Sequence, residues 1–241
     1  MNKKDTLFST QHNKVDAFQF DKSVVAVFPD MIERSVPGYQ TILAGIGELA
    51  NQFSQANTNC YDLGCSLGAV TLTLRPRLKT GCKIIAVDTS ETMTERAKEH
   101  IEGFHSDIPV EISCQDMTRI EIENASVVVI NFTLQFIKPE QRQALITKIY
   151  QKLTKGGILI VSEKIHFDNA EIQNAITHLH LQFKRTNGYS ELEISQKRAS
   201  LENVLISDSE KTHLNRFKEA GFDSASIWFQ AYNFVSFLAI K

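Results

Sequence analysis

The chain has 241 residues, of which 42% are hydrophobic and 22% are charged, and its formal net charge is −2. This length and composition predict one large globular domain and exclude a disordered chain. The charge excludes a broadly basic surface that grips a nucleic acid backbone, and no run reaches the roughly 18 apolar residues that span a bilayer. The opening residues MNKKDTLFSTQHNK lack the apolar stretch of a signal peptide, so we expect a cytoplasmic protein.

The cysteines give no sign of a metal site. Cys60, Cys65, Cys82 and Cys114 are not spaced as CxxC, and no histidine pair stands beside them at zinc-ligand spacing. Each lies in or next to an apolar, strand-like run. We therefore expect four buried, reduced side chains and no metal.

The first half of the chain predicts an arm followed by alternating strands and helices. Residues 1 to about 25 show no hydrophobic period, and we expect residues 1–36 to form an N-terminal arm or lid. Apolar residues at helical spacing predict a helix within 37–53. Strands are predicted at 60–63, 83–87, 110–114, 125–130 and 158–161, with Gly156-Gly157 ending the helix before the last of them. This alternation predicts a parallel sheet with helices on both faces.

The second half adds an insertion and a closing hairpin. Residues 167–206 predict two helices around Asn187-Gly188, the second opening with a capping box at 190–193. Another capping box at 207–210 predicts a final helix, and two strands follow around 226–230 and 233–240. An antiparallel hairpin after five parallel strands resembles the class I methyltransferase fold. We therefore expect residues 1–241 to form one Rossmann-like, doubly wound α/β domain with seven strands and a helical insertion.

The strongest local motif is the glycine loop, YDLGCSLG at 61–68, which follows a strand and opens a helix. Gly64 permits a tight turn and close approach to a ligand, while Gly68 lets the helix pack against the strand. The free N–H groups of such a loop point at the ligand. Ser66 replaces the middle glycine of the usual pattern. By itself a loop of this kind is weak evidence for a nucleotide site.

Acidic and amide side chains at the ends of the next strands strengthen that prediction. Asp88 ends the second strand, where a carboxylate accepts hydrogen bonds from ribose hydroxyls, although it could instead only cap the next helix. Asp116 and Met117 follow the third strand, where they could hold and cover an adenine or form an ordinary loop. Asn131 ends the fourth strand and faces the ligand crevice. NAD is the competing ligand, but the chain has only two of the loop glycines and a methyltransferase-like hairpin.

Three segments are more specific: FPDMIERSVPGY at 28–39, YDLGCSLGA at 61–69, and NGYSELEISQKR at 187–198, continuing to Leu201-Glu202-Asn203-Val204. Together they closely resemble the carboxy-S-adenosylmethionine synthases, across essentially the whole chain. That resemblance implies a transferase that joins a carboxyl group from prephenate to the methyl carbon of S-adenosylmethionine (SAM). It also implies a homodimer whose product goes to a separate enzyme that modifies the wobble uridine of tRNA.

The resemblance also assigns residues to the site. It implies ligand contacts from Tyr39, Gly64, Cys65, Ser66, Asp88, Thr89, Asp116, Met117, Asn131 and Arg198. Arg198 could hold the new carboxylate with a bidentate guanidinium, and Tyr39 could add a hydroxyl donor, so both are the catalytic candidates. Without the resemblance, Arg198 would be interpreted as a solvated helix charge and Tyr39 as packing. We expect His178 and His180 to be surface or interface residues.

Two other functions stay open at this point. An ordinary SAM-dependent methyltransferase acting on a small molecule or on tRNA would need an acceptor groove, and RNA would need a basic surface. A silent binding protein would be expected to have lost the loop or its acid, and both are present. Apolar residues in the insertion, among them Ile172, Leu179 and Phe183, could bury against a second copy.

Overall fold

The computed structural model describes residues 3–11 and 15–241, and it forms one seven-stranded sheet with helices on both faces. The strands are β1 Asn59–Leu63, β2 Lys83–Asp88, β3 Val110–Cys114, β4 Ala125–Asn131, β5 Leu153–Lys164, β6 Ser224–Ala231 and β7 Phe234–Ile240. Their order is β3-β2-β1-β4-β5-β7-β6, and β7 runs antiparallel to the other six strands. The predicted fold is confirmed, including the closing hairpin.

The helices are α1 Lys22–Ser35, α2 Tyr39–Phe53, α3 Ala69–Leu74, α4 Glu91–Glu102, α5 Pro139–Lys152, α6 Ala170–Thr186, α7 Glu191–Leu201 and α8 Glu210–Ala220, with a 3-10 turn at Leu134–Phe136. Strand β4 shows why the sheet is covered on both sides. Val127 and Val129 belong to the core beneath α2 and α3, while Val128 and Ile130 belong to the core beneath α5 and α8. An apolar run without alternation is the sequence mark of such a strand.

Residues 22–35, which are part of the expected N-terminal arm or lid, form helix α1. Asp21 caps the helix by accepting hydrogen bonds from the backbone N–H groups of Ser23 and Val24. Part of the predicted arm, residues 1, 2 and 12–14, lies outside the described residues. The segment 3–11 packs on the insertion, where Gln196 donates to the carbonyls of Phe8 and Thr10.

Two predicted element boundaries were wrong. Gly156-Gly157 does not end helix α5, because the helix ends at Lys152 and both glycines lie inside β5. Gly156 has a positive φ of 75°, and its N–H pairs with the carbonyl of Lys241. The prediction of a capping box at 207–210 is also wrong, because the residue that caps α8 is Ser209. The carboxylate of the preceding residue, Asp208, is held instead by two buried arginines, Arg142 and Arg216.

The insertion consists of α6 and α7, and the capping box that opens α7 is confirmed at Ser190 and Glu193.

Cys60, Cys65 and Cys82 are buried as expected, but Cys114 is exposed. The prediction failed at Cys114 because β3 is an edge strand, with fewer neighbours to cover its side chains. Within residues 3–11 and 15–241, no helix combines the length and apolar character needed to cross a membrane.

Candidate active site

A cavity of about 540 Å³ opens at the carboxyl ends of the parallel strands, within the size range of small-molecule sites. Its floor is formed by the ends of β1, β2, β4 and β5. Side chains from α1, α6 and α7 form the opposite wall. Open α/β sheets bind their ligands at this edge, because all the parallel strands end there. The cavity is therefore the candidate active site.

The glycine loop forms part of the floor in a conformation that requires glycine. Gly64 has φ 89°, and a Cβ atom there would lie 2.3 Å from the side chain of Thr133. The N–H groups of Gly64 and Cys65 both donate to the carbonyl of Val87, which ties the loop to β2. Ser66 has a positive φ of 48°, so the serine adopts the left-handed conformation that glycine would favour. The predicted loop is thus pre-shaped for a close ligand.

Asp88 is placed as expected, at the tip of β2 beside that loop. One carboxylate oxygen accepts from the N–H of Ser66 and the other from the N–H of Ser90, both at 2.9 Å. Burial raises the pKa of Asp88, and these backbone N–H groups oppose that effect. Each oxygen keeps lone pairs for a second donor. Asp88 can therefore organise the loop and accept ribose hydroxyls at the same time, with the exposed Thr89 beside it on the cavity wall.

Asp62 is a candidate that the sequence analysis did not assign, although it stands inside the glycine-loop motif. The side chain is buried, and one oxygen accepts from the N–H and the hydroxyl of Thr71. The other oxygen is buried without a partner. Burial raises the pKa of this carboxyl to about 7. Asp62 joins β1 to α3 beneath the loop, which makes it a positioning residue.

Asp116, Met117 and Asn131 also line the cavity as predicted. One oxygen of Asp116 accepts from the N–H and hydroxyl of Thr118, which leaves the other oxygen available. Met117 is buried. The side-chain oxygen of Asn131 is buried and has no hydrogen-bond partner among the described residues, an arrangement that costs free energy unless a ligand donates to it. Together with the loop and Asp88, these donors and acceptors fit SAM, whose amino, ribose and adenine groups require such partners.

Tyr39 lies at the start of α2, and its ring packs beside Phe132 with the ring centroids 6.4 Å apart. Burial raises the pKa of the Tyr39 hydroxyl, with a further contribution from the nearby Asp62 carboxylate. Phe132 has a positive φ of 57°, which is strained for a bulky residue. Such strain is found at functional sites, and here it occurs directly after Asn131.

The β5 side of the cavity carries three lysines that the sequence analysis missed. Lys164 ends β5, Lys184 lies near the end of α6, and Lys197 lies on α7. We refer to these three as the lysine cluster. His180, expected to be a surface or interface residue, lies buried beside them; its Nε2 is hydrogen-bonded to the carbonyl of Ser35, and burial lowers its pKa to about 3. Within the described residues, no three histidine, cysteine, aspartate or glutamate side chains group as metal ligands would.

Comparison with known proteins agrees with this geometry. A family model described as a methyltransferase domain matches residues 60–157. A relative from Hydrogenovibrio crunogenus, named carboxy-S-adenosyl-L-methionine synthase, is 73% identical across 99% of this chain and 95% of its own. A relative of the same name from Mannheimia succiniciproducens is 56% identical across 99% of both chains. The chain belongs to the carboxy-S-adenosyl-L-methionine synthase family.

The fold relationship extends further than this family. The structure of human N-acetylserotonin methyltransferase in complex with SAM superposes with a TM-score of 0.60, at 16% identity, over 91% of this chain and 56% of that one. This similarity shows the fold alone. The synthase relatives and the methyltransferase-domain match, rather than this structural similarity, show that the chain is an enzyme with the methyltransferase fold.

Of the predicted site residues, only Arg198 is not on the cavity wall. The structure brings together at the cavity Tyr39, Gly64, Cys65, Ser66, Asp88, Thr89, Asp116, Met117 and Asn131. Arg198 is exposed on α7, while its neighbour Lys197 is buried against the cavity. The Arg198 charge is still close enough to lower the pKa of Lys164 and Lys184. Arg198 therefore lies near the lysine side of the cavity without lining it.

Proposed function

We infer that the chain converts SAM and prephenate into carboxy-SAM and phenylpyruvate. The observation that carries this inference is a single cavity with two chemically different halves. SAM-type contacts lie at the ends of β1 to β4, and lysines lie at the end of β5. A carboxylated donor could therefore rest beside the SAM methyl group. The name carried by close relatives points to the same product.

The chemistry requires that one proton leaves the SAM methyl group and that its carbon bonds to a carboxyl carbon. Prephenate would lose that carboxyl group together with its ring hydroxyl, leaving phenylpyruvate, and the hydroxyl would combine with the methyl proton as water. None of the lysines or acids needs to act as the base in this scheme. The chain would hold the two substrates together and exclude bulk water that could intercept the reacting groups.

Mass spectrometry tests this proposal directly. Purified protein incubated with SAM and prephenate should form a molecule heavier than SAM by one carbon dioxide, together with phenylpyruvate. Omission of prephenate is the control and should yield none. Unchanged SAM after incubation with prephenate would contradict the proposal and favour an ordinary methyltransferase. The carboxylated product would then pass to a separate tRNA-modifying enzyme.

A homodimer would explain the position of Arg198. Ile172 and Leu179 on α6 are about half exposed, at 50% and 49%, although exposure of such large apolar side chains costs free energy. A second copy packed on the insertion would cover them. We propose that the exposed Arg198 then reaches the cavity of the partner copy and binds the new carboxylate there. The charge of the guanidinium and its paired donors suit that role.

Two inactive variants can test this arrangement. Arg198→Leu should bind SAM but form no carboxylated product, while Asp88→Ala should be inactive because it binds SAM about 100-fold more weakly. A mixture of the two variants, unfolded and refolded together, should regain activity. One cavity of each mixed dimer then combines the native Asp88 of one copy with the native Arg198 of the other. The same variants refolded separately provide the control. No recovery in mixed dimers would place Arg198 in its own chain's site, and full activity of Arg198→Leu would remove it from the chemistry.

A further inference from the structure

The lysine cluster places more positive charge in the cavity than the chain itself neutralises. Among the described residues, Lys164 and Lys184 form no ion pair. Of the carboxylates in residues 3–11 and 15–241, only that of Asp5 lies within ion-pair distance of the cluster, 3.7 Å from the Nζ of Lys197. The other charges near Lys197 cancel, since Arg34 pairs with Asp30 at 3.1 Å. With all three lysines protonated, three ammonium groups and one carboxylate give this end of the cavity a net charge of about +2.

The three lysines also lie close enough for their positive charges to repel one another, which opposes folding. Burial, together with the charges of Lys197, Lys164 and Arg198, lowers the pKa of Lys184 to about 7. Burial lowers the pKa of Lys197 to about 8, against the opposing effect of Asp5. Like charges held together in a partly desolvated cavity destabilise the folded chain. An arrangement that costs stability at a cavity wall is the usual sign of a ligand site.

The position of the cluster separates it from the SAM contacts. Neighbouring strands lie about 4.8 Å apart, so Asp88 on β2 and Lys164 on β5 are separated by roughly 14 Å along the sheet edge. Asn131, at the end of β4, lies between them. The positive sulfonium of SAM would gain nothing from the lysine side, and the single α-carboxylate of SAM would neutralise only one of the lysine charges. The β5 end therefore suits a second, negatively charged ligand.

We propose that Lys164, Lys184 and Lys197 form the binding site of a dianionic second substrate, a dicarboxylate, beside the SAM site. This rests on the proposed function in that the dicarboxylate is the carboxyl donor. Two carboxylates neutralise the excess charge, and each can accept charge-assisted hydrogen bonds from the ammonium groups. The neutral His180 adds no further charge to the cluster. Lys197 also donates to the hydroxyl of Ser35, so it is held in place before the ligand arrives.

Direct binding to the lysine cluster can be measured without turnover. The chain saturated with S-adenosylhomocysteine is titrated with prephenate in a calorimeter, and the same titration is repeated with Lys184→Met and Lys164→Met. Each variant should bind prephenate at least tenfold more weakly, because a charge-assisted hydrogen bond is lost. Their affinity for SAM should stay within twofold of the original. Lys218→Met, at an exposed lysine on α8, is the matched control and should change neither affinity.

Three outcomes would overturn the lysine-cluster site. The first is an unchanged prephenate affinity in both Met variants. The second is equal affinity of the original chain for prephenate and for the monocarboxylate phenylpyruvate, since a dianion site should prefer prephenate at least tenfold. The third is a lower melting temperature in both Met variants, which would indicate a structural role, whereas relief of buried like charges should raise it. Lys184→Arg, which keeps the charge, should recover most of the affinity.

The binding and turnover measurements separate this inference from the proposed function. Tight prephenate binding that depends on the cluster, without carboxylated product, would leave the lysine-cluster site standing and reject the synthase activity. Product formation, combined with unchanged prephenate binding in the Met variants, would support the synthase activity and reject the lysine-cluster site.

Discussion

The two halves of the cavity are built in different ways. The SAM half is formed by short segments at the ends of consecutive strands, and its acids and backbone N–H groups hold one another before any ligand binds. The β5 half is assembled from a strand end and two inserted helices, and its lysines repel one another. One half is ordered by its own hydrogen bonds, whereas the other is completed electrostatically only by its ligand. This difference predicts separable effects on the two substrates.

Asp88→Ala should produce the largest difference between the effects on SAM affinity and on prephenate affinity. The variant loses two charge-assisted bonds to the ribose and the anchor of the Ser66 N–H, so SAM affinity should fall about 100-fold. Prephenate affinity, measured with the cavity otherwise empty, should change less than threefold. Asp223→Asn, at an exposed acid on the surface, is the control. Equal losses for both ligands would show that the two halves are not independent.

Gly64→Ala tests how far the SAM half depends on its backbone. Alanine would be strained at φ 89°, and its Cβ would lie within 2.3 Å of Thr133, so the free energy of unfolding should fall by about 2 kcal/mol. Urea denaturation measures this change. Gly103→Ala is the matched control, because Gly103 has an ordinary helical φ of −67° and its nearest contact would be 3.4 Å. A stable Gly64→Ala variant with normal SAM affinity would mean that the loop rearranges freely.

The pH should act on prephenate binding through the lysines of the β5 half. If the lysine cluster is the prephenate site, binding requires the protonated form of Lys184, whose pKa is about 7, so prephenate affinity should be constant below about pH 6 and should fall as the pH rises through 7. The groups that set this value are Lys164 on β5, Lys197 and Arg198 on α7, and burial of the side chain itself. We expect about a tenfold loss of prephenate affinity by pH 9. Lys184→Arg does not titrate in this range, so the fall in affinity should shift up toward pH 8, where Lys197 loses its proton. An unaltered profile in that variant would assign the titration to another group.

The same contrast explains how much of the site could be predicted from the sequence. The glycine loop, Asp88 and Asn131 were predictable because each follows a strand whose apolar run is visible, and parallel strands end at one edge. Lys164 ends β5 just as Asn131 ends β4, so the same rule could have identified it. Lys184 had no such signal, because a lysine near a helix end normally indicates a solvated or dipole-balancing charge.

Lys197 and Arg198 show a harder limit of sequence interpretation. Adjacent residues on a helix point about 100° apart, and here Lys197 lines the cavity of its own chain whereas Arg198 does not. The family resemblance assigned the ligand role to Arg198, whereas the structure places Lys197 at the cavity and leaves Arg198 exposed. The choice depends on how α7 rotates against α1 and the segment 3–11. That packing involves Asp5 and Tyr189, which are 184 residues apart and hydrogen-bonded at 2.5 Å.

The smallest expected effect concerns helix α7, which carries Lys197. Ser190 caps α7 by accepting from the N–H of Glu193, while the Glu193 side chain accepts from the N–H of Ser190. Ser190→Ala should cost about 1 kcal/mol of local stability, seen as faster amide exchange in α7. Because Lys197 would be less firmly placed, prephenate affinity should fall about threefold while SAM affinity is retained. Ser209→Ala removes the matching cap of α8, away from the cavity, at a similar cost in stability. If Ser209→Ala weakened prephenate binding equally, the loss would reflect general destabilisation rather than the position of Lys197.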